Sequence, residues 1–223
     1  MHIPDGFINL PTSAAAGLLA AGCTVVALKK ARTELDDRTA PMAGLTAVFI
    51  FAVQMLNFPV AAGTSGHLLG GALAAVLVGP YAASLAITVV LGVQALLFAD
   101  GGLSALGLNV FNMSVIGVGS GYLLFTVLKK ILPKVRSSIP VAAAFAAFVS
   151  VPCAAAGFSL QYAIGGTGTV PASTVFTAMI GTHLFIGIGE AIITFMTISA
   201  ILASRSDLVY GWNNAERKLE IRS

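Results

Sequence analysis

The stretch IPVAAAFAAFVSVPCAAAGFSLQY, residues 139–162, contains no charged side chain. As a helix rising 1.5 Å per residue it would reach roughly 36 Å, enough to cross a hydrocarbon core of about 30 Å. Working outward from it, six further apolar runs stand between charged or Gly/Pro breaks: 12–28, 42–58, 67–78, 81–99, 110–128 and 175–203. The whole chain agrees, being 57% hydrophobic and only 9% charged, with a mean hydropathy of +0.93. A soluble domain carries about 25% charged residues. A soluble globular protein, a nucleic-acid binder and a disordered chain are therefore excluded. The sequence predicts an all-α integral membrane protein with seven transmembrane helices and lipid as its surroundings.

The run 67–78 is short for a span, which is tolerated where a helix end is buried in protein. Gly79-Pro80 reads as the turn into the next helix. One membrane domain over 1–203 and a C-terminal tail over 204–223 account for the chain. Cys23 and Cys153 lie in apolar runs and offer neither a disulfide framework nor a thiolate metal site.

Basic residues orient the bundle. Lys29, Lys30, Arg32 and Arg38 follow the first run, Lys129, Lys130, Lys134 and Arg136 the fifth, and Arg205, Arg217, Lys218 and Arg222 the last. These are all 12 Lys and Arg residues of the chain. The positive-inside rule then predicts an outer N-terminus and a cytoplasmic C-terminus, which requires an odd number of spans. The first eleven residues, MHIPDGFINLP, carry no basic residue, and the basic cluster follows the first apolar run instead of preceding it. The N-terminus is accordingly expected to be retained and exported.

With that topology, polar side chains gather at the outer ends of the runs: Gln54, Asn57, His67, Gln94, Asp100, Asn109, Asn112, Gln161 and His183. They predict a pocket open to the exterior, lined by carbonyl, amide and imidazole groups. Taken singly, each Asn or Gln could equally be tying helices together. On the seventh run His183, Gly187, Glu190, Thr194 and Thr197 step along one helix face. That face suits a proton relay, support of a site or a coupling surface. It suits equally a buried His and Glu satisfied by neighbours.

Met1-His2 offers three nitrogens in one chelate: the terminal amine, the His2 amide and the His2 imidazole. If the amide deprotonates, these prefer a plane, and His67 in Gly-Thr-Ser-Gly-His (63–67) is the natural fourth donor. Square-planar nitrogen sites suit Ni(II) or Cu(II). Pro4-Asp5-Gly6 is a turn sequence able to fold the terminus back over the mouth. A translation start followed by a chance histidine is the alternative. No HExxH motif points to a metalloprotease, and no Walker A loop points to an ATPase.

Four blocks now invite comparison: MHIPDGFI (1–8), FAVQMLNFPVAAGTSGHLLGGALAAVLVGP (51–80), VQALLFADGGLSALGLNVFNM (93–113) and HLFIGIGEAIIT (183–194). Together they resemble the NikM/CbiM family, the substrate-binding membrane (S) components of energy-coupling-factor (ECF) transporters for nickel and cobalt. The resemblance implies an extra N-terminal helix before a six-helix S-component core in a prokaryotic cell (inner) membrane, and a transport subunit, not an enzyme. It implies metal ligands at Met1, His2 and His67. Asn57, Thr64, Ser65 and His183 are candidates to orient them, as groups behind metal ligands commonly do. The transported substrate would be Ni(II) or Co(II), and the Pro4-Asp5 terminus looks closer to nickel members. A cobalt-specific member is the nearest alternative. Implied partners are a transmembrane coupling (T) subunit, cytoplasmic ATPase subunits and a small accessory membrane subunit. Two other classes compete: a proton-coupled secondary transporter using Asp100, His183 and Glu190, and a receptor or metalloenzyme that binds metal without moving it.

Overall fold

The computed structural model describes residues 1–37, 39–60 and 64–212, and of Phe58, Pro59 and Thr64 the backbone only. Arg38, Arg217, Lys218, Arg222 and the rest of the tail beyond Trp212 lie outside the described residues. Helices α1 (Leu10–Ala31) and α2 (Ala40–Gln54) come first, each with a proline in its opening turn. There the missing N–H would have had no partner in any case. Asn9 caps α1 by accepting a hydrogen bond from the Thr12 N–H at 3.0 Å. A two-stranded antiparallel hairpin follows, β1 (Phe58–Val60) with β2 (Thr64–Gly66), in the register Phe58↔Gly66. Then come α3 (Gly71–Val78), α4 (Pro80–Leu97), α5 (Leu106–Ile131), α6 (Ser138–Gly165) and α7 (Ala172–Arg205).

Five helical stretches are long and apolar enough to cross a membrane, namely α1, α4, α5, α6 and α7 with the turn after it; α2 is apolar but shorter. The second and third candidate runs need correction. Residues 55–58 leave the helix for the hairpin, and residues 67–70 are not helical. Helix α3 has 8 residues, all buried, so its ends meet protein instead of lipid. Gly70 and Gly79 bracket it at φ +75° and +92°. A side chain at Gly70 would in addition run into Ile50, whose Cγ1 stands 2.7 Å from where a Cβ would be.

Small residues set the closest approaches. The buried face of α1 is Ala16, Ala20, Ala27 and Ala31. Pro152 sits inside α6 and leaves the Phe148 carbonyl without its helical donor. Gly187 of α7 fills that place, since a Cβ there would lie 2.9 Å from the Phe148 oxygen. Helix α5 widens into a π-helical stretch over Val110–Gly117, a form frequent at functional sites. Large aliphatic and aromatic side chains, Leu18, Leu45, Leu96, Phe145 and Phe185 among them, point outward from the bundle.

The two ends of the bundle differ. At one, Glu34 accepts from the Ala82 N–H opening α4 at 2.7 Å, and Lys129 donates to the Gly211 carbonyl just past α7. Lys29, Lys30 and Arg205 end their helices here as well. Burial raises the Glu34 carboxyl to about 7, against the pull of the α4 N–H groups. All three histidines gather at the opposite end.

The Gly107–Gly17 contact, where a Cβ on Gly107 would fall 2.4 Å from the Gly17 Cα, makes a sharp prediction. Gly107→Ala should lose about 1–3 kcal/mol, the usual cost of overpacking, and lower the thermal midpoint in detergent. Gly17→Ala, whose Cβ meets nothing within 4 Å, should melt like the wild type.

Candidate metal site

Residues 1–9 run across the histidine end of the bundle and are pinned along their length. Pro4-Asp5-Gly6-Phe7 forms a turn with Gly6 at φ +75° and the Phe7 N–H directed at the Pro4 carbonyl at 3.4 Å, so the expected turn is present. Asn109 grips Ile3 twice, accepting from its N–H at 2.7 Å and donating to its carbonyl at 3.2 Å. Gly102 N–H adds a third bond to the Ile3 carbonyl at 2.9 Å. The Asp5 carboxylate accepts from the Ser104 N–H and hydroxyl at 2.7 and 2.6 Å. At the far end Asn9 N–H donates to the Gly165 carbonyl at 2.7 Å, and Thr167 Oγ1 donates to the Gly6 carbonyl at 2.6 Å.

This segment presses Met1 and His2 into the interior. Met1, His67 and His183 are 0% exposed and His2 is 4% exposed. The pocket expected to be open to the exterior is therefore closed, because the N-terminal segment is itself the cover. The His2 and His67 rings stack with centroids 4.5 Å apart at 29°. Each histidine has one nitrogen satisfied and one bare. His2 Nε2 pairs with Gln94 Oε1 at 3.0 Å, His67 Nδ1 donates to the Leu68 carbonyl at 2.8 Å, and His183 Nδ1 donates to the Met179 carbonyl at 2.7 Å. His2 Nδ1, His67 Nε2 and His183 Nε2 are buried with no hydrogen bond. Asp100 Oδ1 stands 3.1 Å from His2 Nδ1, close but not aligned as a hydrogen bond. Asn57 Nδ2 donates to the other Asp100 oxygen at 3.0 Å.

Burial decides the charge of these groups. It holds the Met1 amine well below the ordinary range for a terminal amine, with Asp100 pulling weakly the other way. It lowers the His2 imidazole, again opposed by Asp100. It lowers His67 further, helped by the nearby amine and by His2. Burial alone would raise Asp100, but His2, Asn57 and the amine outweigh it and keep the carboxylate ionised. The result is a set of neutral nitrogens with bare lone pairs beside one carboxylate. Among the described residues no three His, Cys, Asp or Glu side chains could hold a metal by themselves. A metal bound here would therefore need main-chain nitrogen, and the Met1 amine and His2 amide are at hand.

The family described as the cobalt uptake substrate-specific transmembrane region, CbiM, matches residues 2–208. The chain belongs to the CbiM family. It is 41% identical over 94% of its length to a putative metal transport protein of Haloquadratum walsbyi, of which it covers 94%. To a cobalt transport protein CbiM of Sorangium cellulosum it is 33% identical, with 94% of each chain covered. To a putative fused nickel transport protein NikMN of Archaeoglobus fulgidus it is 36% identical, over 94% of this chain and 68% of that one. A solved structure described as a truncated transition metal transporter superposes with a TM-score of 0.84 at 31% identity, covering 91% of this chain and 99% of that one. Membership in the CbiM family makes this a multi-pass membrane protein and a component of metal uptake, not an enzyme.

Most residues expected at the site of this CbiM-family chain do converge. Met1, His2 and His67 meet, and Asn57 reaches them through Asp100. His183 is buried at the same end but bonds within α7, to the Met179 carbonyl. Ser65 lies in β2 opposite Pro59, and the Thr64 side chain is outside the described residues. Asp100, His183 and Glu190 each bond to different partners and are not hydrogen-bonded to one another as a relay. Asn109 and Gln94 were visible in the sequence only as polar groups at the right depth. Their specific tasks, gripping Ile3 and pairing with His2, carry no local sequence signal. Asn109→Ala should free the Ile3 amide, speeding its hydrogen exchange about 10-fold, the equivalent of about 1.4 kcal/mol. Exchange mass spectrometry of the N-terminal peptide measures this, with α6 peptides unchanged.

Proposed function

We propose that this chain captures Ni(II) from outside as the substrate-specific subunit of an ATP-driven metal importer. The donors are the Met1 amine, the His2 amide and Nδ1, and His67 Nε2. The observation that carries the reading is the pair of stacked, buried imidazoles whose bare nitrogens stand beside a buried terminal amine. With the His2 amide these donors supply four nitrogens, and four nitrogens in a plane favour Ni(II) over Co(II). Relatives named for nickel and for cobalt support the substrate class. The N-terminus lies outside, the C-terminus in the cytoplasm, and seven helices form the bundle, α2 running from the basic end to the hairpin and the short α3 returning from it. Energy comes from partners. A coupling subunit, cytoplasmic ATPases and a small accessory membrane subunit complete the machine, and the fused NikMN name of a relative supports one such partner component.

The chemistry follows from the groups present. A hydrated cation reaches the site when residues 1–9 lift. The amine and imidazoles, already neutral, would replace its water, and the His2 amide would give up its proton to that departing water to complete the plane. Asp100 offsets the charge that the cation brings into a buried place.

Two measurements test this. Purified protein with a free terminus should bind one equivalent of Ni(II) and show the visible absorption of a square-planar complex. One alanine placed before Met1 should abolish both, and His67→Ala should weaken binding and shift the band. Unchanged binding after the extension would refute the terminal chelate. The pH profile gives a second check. Because burial lowers the pKa values of the amine and both imidazoles, fewer protons compete for their lone pairs. Half-maximal binding should therefore fall at a lower pH than for an exposed Met-His peptide, whose amine titrates near 8. A profile matching the peptide would sink the buried-donor account.

A further inference from the structure

Glu190 of α7 is 3% exposed, and its two carboxylate oxygens accept from two successive main-chain donors. Oε2 takes the Leu69 N–H at 2.7 Å and Oε1 the Gly70 N–H at 2.5 Å. Each of those N–H groups belongs to a planar peptide unit whose carbonyl points the opposite way. The carbonyl opposite the Leu69 N–H is that of Leu68, which accepts the His67 Nδ1–H at 2.8 Å. The carbonyl opposite the Gly70 N–H is that of Leu69, which accepts from Gln54 Nε2 at 2.7 Å.

The second unit reaches farther. A carbonyl can only accept, so Gln54 must turn its Nε2 toward Leu69 and its Oε1 away. Gln94 Nε2 donates to that Oε1 at 3.1 Å, leaving Gln94 Oε1 toward His2 Nε2 at 3.0 Å. An amide oxygen likewise only accepts, so Gln94 holds the His2 proton on Nε2 and keeps Nδ1 bare, against the pull of Asp100, whose Oδ1 stands 3.1 Å from Nδ1. Nδ1 is the nitrogen able to close a chelate with the amide and amine that precede it. On the other branch the Leu68 carbonyl puts the His67 proton on Nδ1 and leaves Nε2 bare.

We propose that Glu190 is a positioning residue that sets, through the two peptide planes flanking Leu69, which nitrogen is bare on both His67 and His2. A single carboxylate on α7 thereby aligns two donors that lie far from it and from each other in the sequence. It also replaces the side-chain cap that α3 lacks, since the residue before that helix is Gly70. The importance of the bare nitrogens rests on the metal reading above, but the tautomers themselves do not.

The test uses full-length protein with 15N-labelled histidine, free of metal, at a pH where the imidazoles are neutral. Ring 15N shifts distinguish Nδ1–H from Nε2–H, and single His→Ala variants assign them. The wild type should show His67 as Nδ1–H and His2 as Nε2–H. Glu190→Gln retains one acceptor and puts an N–H2 group against the other donor, so both histidines should become tautomer mixtures while His183, bonded within α7, stays unchanged. Ni(II) affinity should drop about 10- to 100-fold, as for other groups that orient metal ligands. The drop should shrink when His67→Ala is already present. Wild-type tautomers in folded Glu190→Gln protein would overturn the proposal. So would an affinity loss of the same size with and without His67. If Glu190→Gln does not fold, Gln54→Met cuts the second branch alone. His2 should then lose its preference while His67 keeps it, and any other pattern overturns the proposal. Shifted tautomers in a protein that binds no Ni(II) would uphold the positioning role and defeat the metal reading.

Discussion

Withdrawal of nitrogen bases from water is the constraint on which the rest of this structure depends. A terminal amine and three imidazoles lie inside an apolar bundle, where holding a proton on each would require several buried charges in one small volume. Their neighbours instead satisfy one nitrogen of each ring with a carbonyl or amide oxygen and leave the other bare. Asp100 is the counter-charge at hand, and Asn57 steadies it. Neutral bases thus stand beside a single ionised carboxylate.

Directionality does the remaining work. Hydrogen bonds between groups that can both donate and accept leave orientation open. Chains that end on a carbonyl or a carboxylate do not. The path from Glu190 through Leu69, Gln54 and Gln94 to His2 is anchored by acceptors and main-chain donors, so every amide along it has one orientation. This is why polar groups at the histidine end serve as more than helix ties, whereas Ser150, Ser159 and Ser204 only bond back within their own helices.

The same end of the bundle departs most from regular structure. It holds the β1–β2 hairpin, the positive-φ residues Gly6, Gly70, Ala99 and Gly101, and the π-helical stretch of α5. Gly101 shows the reason. A Cβ there would come within 3.1 Å of the His2 ring and 3.0 Å of the Asn109 amide, so the loop can close over the terminus only without a side chain. At the basic end, long helices simply finish in Lys or Arg.

The sequence by itself determined the membrane bundle, its division into a basic and a polar end, and the meeting of Met1, His2 and His67. Those features rest on hydropathy, charge placement and recognisable blocks, which are properties of contiguous residues. It did not disclose that run 67–78 yields only the short α3, that residues 55–58 leave the helix for the hairpin, or that the pocket is shut. Each of these depends on what a segment packs against. Only the tertiary structure decided which nitrogen of each histidine is bare. That choice is made by partners such as Gln94, 92 positions from His2, and Glu190, 121 positions from Leu69. Hydropathy sums over neighbours in the chain, whereas a tautomer is set by one donor and one acceptor meeting in space.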